Sequence, residues 1–184
     1  MQHNTPEQVQ RLEDKAQQGT TPQQRISKHV YGGKAALCFE IDETRHGIPT
    51  IALDAAMSCG VREYDWQGKV RLQLTQGELP VVAAVLLGSL PSCEFRSHGA
   101  NKDKGFSVEH QGTKLFVKVF AAGESIRAVP MELPDVYQVS SLFLRQLRYQ
   151  SPWLDATGVI NLIQATLGSP HRSAQGGIRQ PPGS

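Results

Sequence analysis

Val30-Tyr31-Gly32-Gly33-Lys34-Ala35-Ala36-Leu37 opens the first clearly structured segment of the chain. From Lys34 onward the residues alternate. Ala35, Leu37, Phe39 and Ile41 fall on one face of an extended strand, and Lys34, Ala36, Cys38 and Glu40 fall on the other. Gly32 and Gly33 permit a bulge or a close backbone approach. The small alanines that follow leave room for another chain or a flat ligand. An edge lysine that discourages aggregation is the plainer alternative for Lys34, and the choice depends on what the rest of the chain supplies.

Working outward, 28–43 predicts one long strand, and His46-Gly47-Ile48-Pro49 a turn. A second strand over 50–58 places Ile51, Leu53, Ala55 and Met57 on one face. The segment 59–68 is expected to be a loop containing Tyr64-Asp65-Trp66. In 69–75 the alternation is cleanest: Val70, Leu72 and Leu74 point one way, Lys69, Arg71, Gln73 and Thr75 the other. Thr75-Gln76-Gly77-Glu78 has the spacing of a capping box, although Pro80 argues for a slightly later start. Leu79, Val82, Ala83 and Leu86 then form a buried helical stripe that Gly88 stops.

A second run of strands covers 92–98, 105–110, 114–121 and 124–131, separated by turns bearing Gly, Asn or Asp. Asp135 is placed to cap a helix carrying Val136, Val139, Phe143 and Leu147. Ser151-Pro152 predicts the start of a separate helix over 153–167, ended by Gly168. Strands then helix, strands then helices, is an α+β arrangement: two antiparallel β-sheets, each followed by helical structure. The polar, Gln-rich 1–27 is expected to be a disordered arm, 28–168 the folded domain, and the Gly-, Pro- and Ser-rich 169–184 a disordered tail. Both tails lack apolar residues with which to dock, so they are expected to be dispensable for folding.

The 184 residues suit one domain with tails, and 39% hydrophobic residues suffice for a modest core. The formal net charge is +2, and within 28–168 fourteen basic residues face fourteen acidic ones. A nucleic-acid site would therefore need local clustering and stacking, not bulk charge. Three cysteines without a C-x-x-C pair exclude a complete disulfide framework and fit reduced thiols in the cytoplasm. Cys38 and Cys93 lie in strand-like runs, as small core residues do. Neither a secretory nor a transit-peptide pattern is visible, and no apolar run reaches membrane-span length.

With these segments placed, the chain resembles the Whirly single-stranded DNA-binding proteins of plants. Four stretches carry the resemblance, in the family's order: Val30-Tyr31-Gly32-Gly33-Lys34-Ala35-Ala36-Leu37, close to the signature K-G-K-A-A-L; Val61-Arg62-Glu63-Tyr64-Asp65-Trp66; Lys69-Val70-Arg71-Leu72-Gln73-Leu74-Thr75; and Leu87-Gly88-Ser89-Leu90-Pro91-Ser92-Cys93-Glu94-Phe95. The resemblance implies two four-stranded sheets in a homotetramer with a helical kernel, and single-stranded DNA across the sheet edges between subunits. It also implies that Lys34 matches a lysine associated with higher-order assembly on long DNA. Kinetoplastid mitochondrial RNA-binding proteins share the architecture, so RNA is the alternative ligand. The departures are a shorter first repeat, in which one strand is expected to be lost or fused, and Gly32 in place of the signature's first lysine. The missing transit peptide points to a bacterial or mobile-element homologue, cytoplasmic and associated with nucleoid or plasmid. The tail lacks the acidic tip by which bacterial single-strand binders recruit repair partners.

Binding of single strands without sequence preference needs a basic groove for phosphates and aromatic faces for bases. Lys114-Leu115-Phe116-Val117-Lys118-Val119-Phe120 offers both by alternation, unless the phenylalanines are buried and the lysines merely snorkel outward. The candidate nucleic-acid-binding residues are Tyr31, Lys34, Lys69, Arg71, Lys104, Lys114, Phe116, Lys118 and Phe120. For Lys69 and Arg71 an ordinary solvated strand is the alternative. Phe95 and Phe106 fit the core better than a stacking role, and Tyr64-Asp65-Trp66 fits packing, with Asp65 capping local N–H groups. Histidine spacing suggests no metal set. Asp54, Glu63, Asp65 and Glu94 lack the D-x-D or E-x-K pattern of a metal nuclease, and Gly32-Gly33 precedes a strand, unlike a phosphate-binding loop. The expected function is non-enzymatic and cofactor-free: protection or organisation of single-stranded DNA in replication, repair or recombination. The rival is an oligomeric interaction or transcription-regulatory scaffold.

Overall fold

Period-two alternation builds both sheets, and the glycines decide where the chain reverses. The computed structural model describes residues 26–168. The expected arm up to residue 25 and the expected tail from 169 lie outside the described residues. Ser27, placed in the arm by the sequence reading, begins the first strand.

β1 (Ser27–Tyr31) and β2 (Ala35–Glu43) pair antiparallel, in register from Ser27 against Glu40 to Tyr31 against Ala36. The single long strand expected over 28–43 is therefore a hairpin with residues 32–34 as its turn. Gly32 N–H donates to Ala35 O at 2.9 Å. β2 pairs with β3 (Pro49–Gly60), whose far edge carries β4 (Glu63–Tyr64) and β5 (Val70–Gln73) one after the other. The expected loss or fusion of a strand does not occur; the last lane of this sheet is split between two short strands, and β4 lies inside the segment expected to be a loop.

On the inner face Val30, Ala35, Leu37, Phe39, Ile51, Leu53, Ala55, Val70 and Leu72 are buried in one cluster. Leu74 leads from β5 into α1 (Glu78–Leu86), which begins at the capping box without the delay expected from Pro80. Glu78 N–H reaches Thr75 Oγ1 at 3.3 Å, and Glu78 Oε2 accepts from Thr75 N–H at 2.8 Å. The helix stops at Gly88, whose φ of +73° only glycine adopts without strain. Ser89 N–H then closes on Ala84 O at 2.8 Å and Gly88 N–H on Val85 O at 2.9 Å.

The second sheet is a meander of β6 (Ser92–His98), β7 (Lys104–Gln111), β8 (Lys114–Ala121) and β9 (Arg127–Met131). Its inner face, with Phe106, Val108, Leu115, Val117, Val119, Val129 and Met131, joins the same core, because β9 packs against β1, β2 and β3.

α2 (Leu133–Gln150) starts earlier than Asp135 would allow as its cap. Glu132 takes that position, with Pro134 in the first turn, and Asp135 instead pairs with Lys28 at 2.8 Å. Val139, Phe143 and Leu147 dock the helix. Buried Gln146 fixes its register, donating to Thr50 O at 2.7 Å and Asp42 O at 3.1 Å. α3 (Ala156–Leu167) is capped by Asp155, whose Oδ1 accepts from Gly158 N–H at 2.7 Å, and not by Ser151. Trp153 thus falls in the turn between helices, 77% exposed.

Cys38 is buried, but on the outer side of β2, and burial pushes the half-buried Cys93 thiol up to about 11. Among the described residues, no helix is long and apolar enough to cross a membrane.

Glu78 links α1 to the second sheet, its Oε1 lying 3.0 Å from His98 Nε2. Burial alone would raise its pKa. The hydrogen bonds from His98 and Thr75 more than offset that and hold the carboxyl below its ordinary 4.5. A carboxylate whose folded pKa is depressed stabilises the fold above its unfolded pKa, and that share is lost as pH falls through the folded value. Thermal melts between neutral pH and about pH 3 should therefore show the parent losing more stability below about 4.5 than Glu78→Gln does. Parallel acid limbs for the two proteins would contradict this role.

Candidate nucleic-acid interface

The outer face of the second sheet is a grid read directly from its register. Ser92, Glu109, Phe116 and Pro130 form one row, and Glu94, Ser107, Lys118 and Ala128 the next. Gly105 and Phe120 begin a third row, completed by Arg96 of β6, whose guanidinium lies 4.9 Å above the Phe120 ring. Lys118 stands between the two rings, with the small Ser107 and Ala128 on either side of it. Lys114, Phe116, Lys118 and Phe120 all stand on it, while Leu115, Val117, Val119 and Ala121 are buried beneath. The alternation therefore places both phenylalanines outside the core. Lys114 pairs with Glu132 at 2.7 Å and Lys118 with Glu109 at 3.8 Å, both in solvent, where such pairs exchange readily for other anions.

Lys104 does not join this row. It shares the parity of Phe106 and stands at the opposite side of the sheet's end, opposite Ala121 and beside Gly99. Phe106 is a core residue and Phe95 packs half-buried beside it, ring centroids 5.4 Å apart.

The outer face of the first sheet divides into two regions. Near the hairpin turn, Tyr31 is 62% exposed. Its ring lies 5.4 Å from Tyr64 and 6.0 Å from His29, and His29 meets Trp66 edge-on at 5.2 Å. Tyr64 is fixed by its hydroxyl, which donates to Gly32 O at 2.7 Å, and Asp65 Oδ1 caps Gln67 N–H and Gly68 N–H. Lys34 projects from the turn, exposed, with no ion-pair partner among the described residues. Ala36 and Ala56 beneath are fully buried, so the space they leave is filled by the chain's own side chains.

Across the rest of this face the cations are held by the chain's own carboxylates. Asp54, only 2% exposed, accepts from Lys69 Nζ at 2.6 Å and from Arg71 Nη1 at 3.0 Å. Arg71 also reaches Asp42 at 3.2 Å and Glu40 at 3.6 Å. Partial burial works against its charge, but Asp54, Asp42 and Glu40 outweigh that and raise its pKa further. Lys69 and Arg71 stand on the expected face, yet their first partners are these carboxylates. Asp54 and Asp65 are likewise engaged within the fold, and among the described residues no group of three or more His, Cys, Asp or Glu could hold a metal ion.

Sequence reasoning passed over His29 and Arg96, and gave Tyr64 and Trp66 a packing role in preference to a stacking one. His29 and Tyr31 alternate with buried Val30, a pattern that identifies their face. The pairing of Arg96 with Phe120 depends on a bulge between Phe95 and His98 and leaves no local trace.

A pair of antiparallel sheets on one core, each followed by helix, is the fold of the Whirly proteins. Several solved structures are similar to this chain over that fold. The plant transcriptional regulator PBF-2 is 23% identical, with a TM-score of 0.57 over 77% of this chain and 90% of its own. WHY1 of Arabidopsis thaliana is 23% identical, at 0.52 over 70% and 92%, and WHY3 of the same plant is 22% identical, at 0.53 over 79% and 98%. No protein-family model matches the chain, and no curated protein matches it either.

Arg71→Ala should destabilise the protein by about 1–3 kcal/mol, because a buried carboxylate loses one of two cationic partners. Lys114→Ala, whose pair is solvated, should stay within about 0.5 kcal/mol. Urea unfolding at neutral pH makes the comparison; equal effects would mean that Asp54 does not depend on Arg71.

Proposed function

We propose that this chain binds single-stranded DNA with little sequence preference, across the outer faces of its two sheets, and that it works as a non-enzymatic homotetramer protecting or organising single strands. The observation that carries the reading is the outer face of β8, where Phe116 and Phe120 alternate with Lys114 and Lys118 above a buried aliphatic face. Unpaired bases offer π-faces that a duplex hides, and the lysines track the phosphates between them. The aromatic run His29, Tyr31, Tyr64 and Trp66, with Lys34 at its end, extends the same chemistry to the first sheet. The Whirly fold, and a neighbour described as a transcriptional regulator, support a role on nucleic acid.

Anisotropy with a labelled single strand of about thirty nucleotides tests this, against the blunt duplex and over a salt series. The single strand should be preferred, and its affinity should fall with salt. Phe116→Ala should weaken binding by about 1–3 kcal/mol per stacked base. Lys34→Ala, in an exposed turn, should cost at most about 0.5 kcal/mol of stability, lower the salt slope by about one unit and show its defect mainly on long strands. Preference for duplex, or insensitivity to salt, would contradict the reading; equal affinity for an RNA strand would move it to the RNA-binding alternative.

Self-association rests on the helices. Tyr137, Tyr149 and Leu162 on α2 and α3, and Trp153 between them, are exposed. Exposed large apolar side chains on neighbouring helices suit an interface, here with further copies of the chain. Light scattering at micromolar concentration should return the mass of a tetramer, and Trp153→Ala with Tyr149→Ala should shift it toward smaller species. A monomer would contradict the proposed homotetramer.

A further inference from the structure

Arg96, Phe120 and Gly105 form a three-layer stack on the outer face of the second sheet. Gly105 is the base. A Cβ there would collide with the Phe120 ring and lie 2.5 Å from Phe95 O, so only glycine lets the ring lie flat on the strand. Phe120 is the middle layer, and the Arg96 guanidinium covers it at 4.9 Å from its centroid. The Arg96 side chain is nevertheless 71% exposed. The guanidinium carbon thus lies over the ring while most of the side chain is open to solvent.

From this we propose that Arg96 is the upper surface of a base-stacking platform, with Phe120 as its support, and that an unpaired nucleobase of a single strand lies on the open face of the guanidinium. The inference rests on the single-strand reading above and names one subsite within it. Phe120 is already covered in the free protein, so a base cannot stack on it directly while Arg96 stays in place. Glu94 argues for stacking over phosphate contact: its Oε1 accepts from Arg96 Nε at 2.5 Å. That bond offsets the cation's charge toward a phosphate and leaves the flat face free. It also presets the plane, so little side-chain freedom is lost when a base arrives. Guanidinium planes stack on unpaired bases of either RNA or DNA.

The experiment compares parent, Arg96→Ala and Arg96→Lys on two labelled strands of equal length, one of deoxythymidine and one of abasic units with the same phosphates. Both variants should melt as the parent does, since the side chain is exposed. On the base-bearing strand Arg96→Ala should weaken binding roughly five- to a hundredfold, the worth of one stacked base. Arg96→Lys keeps the charge but not the plane. It should lose most of the same affinity on thymidine, keep the parent's salt slope, and bind the abasic strand as the parent does. The proposal is overturned if Arg96→Lys matches the parent on thymidine, or if Arg96→Ala loses as much on the abasic strand, either of which makes Arg96 a charge contact. It is overturned also if neither variant differs from a parent that binds well, which leaves the single-strand reading intact. A parent that binds no single strand removes both.

Discussion

A residue with no side chain holds the place where the two sheets meet. Gly32 closes the β1–β2 turn onto Ala35 O, accepts the Tyr64 hydroxyl on its own carbonyl, and lies against β9. A Cβ at this position would be 3.1 Å from Ala35 O and 3.3 Å from Val129 Cγ1, closer than ordinary packing tolerates. Any larger residue would need Ala35 O and the Val129 side chain to give by a few tenths of an ångström. The β1–β2 turn, the anchoring of Tyr64 and the approach of β9 thus meet at one residue. Gly32, where the resemblance in sequence would put a lysine, thus sits at the joint between the sheets.

The two faces of each sheet divide the work. Inner faces supply a single hydrophobic core, and Leu133, Tyr137, Tyr149, Trp153 and Leu162, on or between α2 and α3, stay exposed. Outer faces carry rings and charges, but unequally. On the first sheet the carboxylates Glu40, Asp42 and Asp54 hold Arg71, and Asp54 also holds Lys69. A phosphate chain arriving there meets acid groups as well as bases, at distances too short for salt to screen. On the second sheet the ion pairs of Lys114 and Lys118 are solvent-exposed and weak. A near-neutral net charge is compatible with single-strand binding when the charge is arranged in this way.

Much of the fold was legible because period two and the turn residues are local signals. The faces of β8, the strand set of the second sheet, the Thr75–Glu78 capping box and the stop at Gly88 all fall where the alternation and caps put them. The hairpin at 32–34 was not legible, since two glycines serve a bulge as well as a reversal and alternation continues on both sides. Helix starts were misplaced where several residues competed to cap, Ser151 against Asp155 and Asp135 against Glu132. The candidate site was legible as a row, not as a surface. That Lys69 and Arg71 answer to Asp54, that Lys104 leaves the row, and that Arg96 covers Phe120 are facts of register between strands, which one strand's sequence does not contain.

The central claim is that nucleic acid lies on the outer faces of the sheets and that the helices do not touch it. Photocrosslinking to a bromodeoxyuridine-bearing single strand of about thirty nucleotides, followed by peptide mapping, tests it most directly, because photoadducts form where bases meet aromatic side chains. The account predicts adducts at Phe116 and within the segments carrying Tyr31, Tyr64 and Trp66, and none on α2 or α3. Adducts concentrated at Tyr137, Tyr149 or Trp153, with the β8 face unmodified, would contradict it.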